Sequence, residues 1–142
     1  MSIKQRIFLI SALLIISTLL CDKVALAGFG VSPPYVLNKN LVPGSFYQQD
    51  VFLVQSQPTE DLRATVTVDA GKATDWIKIE NGNSFVIPKG TQQFAMKVAV
   101  SVPLNAEMGN YKGTITVSTV PTSNDREGVS VTLGANVAID LD

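Results

Sequence analysis

Carboxylates carry the widest chemistry in this chain, which contains no histidine and a single cysteine, Cys21. Without histidine the commonest general base and metal ligand is missing. Serine and cysteine triads in their usual form cannot then be assembled. A pair of acids could still cleave a glycosidic bond. Here, however, the acids fall in turn-like segments or on outward strand positions, with nothing to bring two of them together in a perturbed pair. Asn124, Asp125 and Glu127 share one turn, and Asp69 and Asp75 flank another loop. A calcium ion in such loops would need about six to eight oxygens, and no EF-hand spacing is present. Solvated turn residues are the plainer reading. The expectation is a protein with no enzymatic activity and no cofactor, calcium being the one metal with any foothold.

Cys21 belongs to a different kind of segment. Lys4 and Arg6 precede an apolar run from Ile7 to Cys21, and Ala25-Leu26-Ala27 offers a small-x-small cleavage site before Gly28. That is the layout of a secretory leader over residues 1–27, and the run is short for a membrane span. A lipid-anchor signal would place a small residue before the cysteine, whereas Leu20 stands there. Cleavage after Ala27 leaves a chain with no cysteine, so its core must hold by packing alone. From Gly28 onward there are eight basic and eleven acidic residues, scattered. No basic stripe for nucleic acid or anionic lipid is present.

The elements that would carry any site are strands. Leu62, Ala64, Val66, Val68 and Ala70 alternate with Arg63, Thr65, Thr67 and Asp69. Phe94, Met96, Val98, Val100 and Val102 form a second inward set, and Val129 to Leu141 a third. This period of two is that of half-buried strands. From Ser45 to Gln57 the alternation is imperfect, which implies either two partly covered faces or a bulge. Asn81-Gly82-Asn83 predicts a tight hairpin joining Trp76–Ile79 to Ser84–Ile87. Pro33 and Pro34 cannot donate to a central ladder, so that stretch reads as an edge strand or an extended arm. With turn signals at regular spacing and no helical period, the expected fold is an all-β, two-sheet sandwich of about seven strands over residues 28–142.

Tyr111-Lys112-Gly113-Thr114-Ile115-Thr116-Val117 opens a strand just after a short loop that begins at Pro103. Tyrosine there fits a tyrosine corner, its hydroxyl bonded to a nearby backbone carbonyl. The residues Pro103, Ala106, Gly109, Tyr111, Gly113, Ile115 and Val117 together resemble a pattern of immunoglobulin-like modules in exported bacterial surface and periplasmic proteins. Val31-Ser32-Pro33 and Pro43-Gly44 resemble the opening of such a module. Gly113 stands where an antibody-type domain would place a disulfide cysteine, and Trp76 follows the Leu62 strand, so it reads as a plug over one end of the core. Gly109 and Gly113 read as backbone requirements, a positive φ or close packing.

The resemblance implies an exported module in the periplasm or at the cell surface, working through contacts with other envelope proteins or with itself. The alternatives are a chaperone-like or accessory factor for surface fibres, although such chaperones resemble two fused sandwiches, and a carbohydrate-binding module. The latter would need outward aromatics, for which Tyr35, Phe46 and Phe52 are the candidates, with core packing their expected role. Strand addition to a neighbour is expected from the last strand through Ala135, Val137, Ile139 and Leu141, or from the Pro33-Pro34 arm. A strand pattern running to Asp142 reads as a bend between sheets or a lead into a further domain.

Overall fold

A computed structural model describes residues 28–123 and 133–142. The leader and the Asn124, Asp125 and Glu127 cluster lie outside the described residues. Among the described residues nine strand segments form two sheets. They are β1 (Phe29–Ser32), β2 (Tyr35–Asn38), β3 (Phe46–Gln55), β4 (Leu62–Asp69), β5 (Ile77–Ile79), β6 (Ser84–Ile87), β7 (Gln93–Ser101), β8 (Tyr111–Pro121) and β9 (Leu133–Leu141). The first sheet has the order β1-β3-β7-β5 and the second β2-β9-β8-β4-β6. The fold is the expected all-β immunoglobulin-like sandwich.

The chain changes sheets unexpectedly in two places, the first of which adds a segment that the alternation does not suggest. The first strand divides at Pro33-Pro34, where missing N–H groups end the ladder. β1 runs antiparallel to β3, and β2 continues parallel to β9 in the opposite sheet. The Ser32–Pro33 peptide is cis. The second change corrects the hairpin expected at Asn81-Gly82-Asn83. β5 pairs with β7 and β6 pairs with β4, so the turn carries the chain from one sheet to the other. Gly82, at φ 85°, makes the bend, and its N–H donates to Ile79 C=O at 3.0 Å. Ile77 and Ile79 of β5 and Ile87 of β6 are buried in the core. Phe85 stacks on Phe94 of the facing sheet, with ring centroids 5.1 Å apart.

The irregular pattern of β3 has no bulge behind it. Its register with β7 is unbroken from Phe46↔Ser101 to Val54↔Gln93. Val51, Leu53 and Gln55 point inward and are buried, while Phe46, Gln48 and Phe52 point outward. Both faces of the strand therefore carry apolar groups. The core itself is aliphatic, with Val36, Met96, Val98, Ile115, Val117 and Val137 among its fully buried members.

This parity gives a direct test. Leu53→Ala should cost about 2–5 kcal/mol through the cavity it leaves. Gln48→Ala, on the same strand and the outer face, should stay within about 0.5 kcal/mol. Equal losses in chemical denaturation would mean that the register of β3 is wrong.

Candidate functional site

One end of the sandwich gathers the residues that the sequence singles out. The loop Val102–Asn110 carries the chain from β7 across to β8, and Tyr111 begins the new strand. The Tyr111 hydroxyl donates to Glu107 C=O at 2.7 Å, which ties the loop to the strand four residues later. This bond is the tyrosine corner. The half-buried ring of Tyr111 lies against Trp76, with centroids 4.6 Å apart and planes tilted by 60°. Trp76 ends a 3₁₀ helix (Gly71–Trp76) that follows β4, a short helical turn where the sequence suggests only a polar loop. Within it Ala73 is fully buried, and Ala70 N–H donates to Thr74 Oγ1 at 2.9 Å.

Gly113 explains how the helix sits so close to the corner. A Cβ on Gly113 would come within 2.5 Å of Ala70 Cα and 2.6 Å of Ala70 Cβ, and would collide with Asp69 C=O. Those are backbone neighbours that cannot swing aside, so only hydrogen fits. Gly109 has φ 155° and open space around its Cα.

Around the corner lies a cavity of about 150 Å³, lined by Leu41, Pro43, Trp76, Met108, Tyr111 and Leu141 among others. Its lining also includes the acidic Glu107 and Asp142, and large apolar side chains stand exposed in the two loops that border it. Leu104 is 86% exposed and Met108 79%, and Val42 also projects into solvent. Leu104 reaches back over Gly44, whose N–H donates to Val102 C=O at 3.0 Å, so the two loops are joined. Phe46, 64% exposed, opens β3 beside them. The sequence patterns miss Val42, Leu104 and Met108 because they lie in loops, where alternation carries no information. Lys72 and Glu107 form an exposed ion pair at 3.3 Å, of the kind that contributes little to stability.

The expected strand-addition residues are placed differently. Ala135, Val137, Ile139 and Leu141 belong to β9, which is bonded to β8 on one side and β2 on the other. The last three are buried in the core. This corrects the expected overhang where β9 ends: parallel pairing with β2 makes Ala138–Leu141 an inner stretch, while beside Leu133–Val137, on the side away from β8, no strand is paired among the described residues. Pro33 and Pro34 form no free arm either, because they link two paired strands and Pro34 C=O accepts from Ala138 N–H at 2.9 Å. Phe46, Phe52 and Tyr35, expected to pack inward, are all solvent-exposed. Phe46 and Phe52 lie about 20 Å apart along β3 at about 3.3 Å per residue. Tyr35 stands on the other sheet, so the three make no common platform. Among the described residues no three acidic or metal-binding side chains converge, Asp69 and Asp75 included.

No protein-family model and no curated protein matches the sequence. The fold does have neighbours. It is similar to the ASH/PapD-like domain of human CEP192 (PapD-like domain 7), with a TM-score of 0.58 and 12% identity over 79% of this chain and 82% of that one. A family 123 glycoside hydrolase from Clostridium perfringens gives 0.49 at 15% identity, over 75% of this chain and 23% of that enzyme. CfaE, the adhesive subunit of the CFA/I fimbria of enterotoxigenic Escherichia coli, gives 0.46 at 14% identity, over 82% of this chain and 49% of that one. At such identities the likeness is one of fold, carried by the first of these.

Two substitutions separate the corner's parts. Tyr111→Phe keeps the ring and loses the bond to Glu107, at a cost of about 0.5–1.5 kcal/mol. Gly113→Ala should cost more, about 1–3 kcal/mol, because the helix backbone must retreat. Thermal and urea unfolding of the two variants check the order.

Proposed function

We propose that this chain is an exported, non-enzymatic immunoglobulin-like module that acts through protein contacts in a cell-envelope or surface assembly. The observation that carries this reading is the apolar end of the sandwich. Met108 lines the cavity, and Val42 and Leu104 stand in water in the two loops that border it, shortly before the exposed Phe46 opens β3. Clustered exposure of large apolar side chains beside a pocket marks a contact surface more often than a catalytic one. Export rests on the leader pattern of residues 1–27 together with the cysteine-free chain that its cleavage would leave.

Two measurements test the proposal in a bacterial host expressing the full chain with its own leader. The mature protein is expected to begin at Gly28 and to fractionate with the periplasm or cell surface. An intact Met1 chain held in the cytoplasm would end the export reading. A photo-crosslinker at Leu104 should give a discrete protein adduct, whereas one at the exposed Val86 should give none. Met108→Asp should lower the adduct yield by about tenfold, the effect of losing one buried anchor. Equal labelling at both positions would sink the contact surface.

A further inference from the structure

The open side of β3 rests on the same hydrogen-bond alternation that joins it to β7. Ser45 C=O accepts from Val102 N–H at 2.9 Å, and Gln55 N–H donates to Gln92 C=O at 2.9 Å. Odd-numbered residues of β3 thus aim their backbone groups at β7, and even-numbered ones aim the other way. Ser56 N–H, donating to Gly28 C=O at 3.0 Å, shows that the even set serves β1. But β1 covers only Phe52 to Gln55, because the chain departs for the opposite sheet at Pro33-Pro34. Among the described residues no strand lies beside Phe46 to Val51 on that side. The N–H and C=O groups of Phe46, Gln48 and Asp50 therefore face outward along half of a long strand.

The neighbouring gap is closed by side chains instead. Gln49 Nε2 donates to Tyr35 C=O at 2.8 Å, and Gln49 Oε1 accepts from the Tyr47 hydroxyl at 2.7 Å. This bridge satisfies an edge carbonyl of β2 and braces the open side of the sandwich. It leaves the β3 groups untouched. Asp50 is the one charge on this half-edge of β3. From Phe46 to Val51 there is no proline, no bulge and no inward-pointing charge.

We infer that the Phe46–Asp50 half-edge of β3 receives an extended segment of a partner protein, in line with β1, by backbone hydrogen bonding. This deepens the contact-module reading and rests on it. The occupant's chemistry follows from the cross-strand neighbours. Opposite Phe46 it presents a β-branched or aromatic side chain. Opposite Asp50, which Lys97 engages at 3.1 Å on one side only, it presents a lysine or a threonine. The residue between them can be polar, facing Gln48.

The probe is a panel of nine-residue peptides of alternating valine and threonine, each with one lysine at a different position. Amide exchange and NMR shifts of the Gly28–Asp142 chain are the readout. Bound peptide should slow exchange at Phe46, Gln48 and Asp50 by at least about tenfold and leave the amides of β6, the far edge, unchanged. Gln48→Pro removes one outward N–H without touching the β7 ladder, and should weaken binding by about tenfold. Should that variant unfold, peptides N-methylated on the edge-facing amides serve instead: they should not bind, whereas methylation of the alternate amides is tolerated. Slow exchange of the three amides in peptide-free protein, indifference to N-methylation, or no protection by any peptide overturns the inference. Protection that grows with protein concentration alone makes a second copy the occupant and overturns it too. Val86→Asp, on the exposed β6 edge, should leave peptide binding unchanged. A failed edge with Leu104 adducts intact thus removes this inference alone, and loss of those adducts removes the broader reading.

Discussion

Pro33 and Pro34 supply no backbone N–H, and the architecture of one whole side of this sandwich follows from that. A ladder cannot run through them, so the first strand serves β3 for four residues and then serves β9 for four more. The second half extends the five-stranded sheet beside β9 and makes its Ala138–Leu141 stretch an inner one. The same departure strips the first half of β3 of its neighbour. Covering one sheet and uncovering the other are two results of one step in the chain. Gln49 and Tyr47 then hold the two sheets together where no strand spans the gap.

At the end where β3 begins, a different constraint operates. Gly113 lets the short helix after β4 lie almost on β8, and this brings Trp76 to Tyr111. The Tyr111 hydroxyl fixes the crossing loop through a single backbone carbonyl. The anchored loop keeps Leu104 and Met108 in water beside the cavity that Val102, Leu141, Trp76 and Tyr111 line.

Much of this was legible in the sequence, and the reasons differ by element. The inward sets of β4, β7 and β8 follow from alternation alone, because each lies in a sheet with one face on the core. The tyrosine corner was readable from Tyr111 and its spacing. What could not be read was partner choice. Asn81-Gly82 specifies a sharp bend, but whether the flanking strands pair with each other depends on β4 and β7, which lie far away in sequence. β9 has an apolar pattern that fits an edge as well as an inner strand; only the position of β2 decides. Phe46 and Phe52 broke the pattern of β3 because they answer to the outer surface rather than to the core. The apolar rim lay in loops, where side-chain type says little about direction.

Phe46 belongs to both exposed features, since it begins the open half-edge and stands beside the apolar rim. The two surfaces therefore meet and can be covered by one partner. Backbone bonds to Phe46, Gln48 and Asp50 would be tolerant of the partner's sequence, because every residue but proline offers the same groups. The cavity beside Trp76 and Tyr111 would not, since its fit depends on the size and polarity of the side chain that enters it. A strand laid along β3 and continuing past Phe46 arrives at that rim with its next residues. Adhesion by backbone and selection by side chain would then act on one segment, in the order in which the chain presents them.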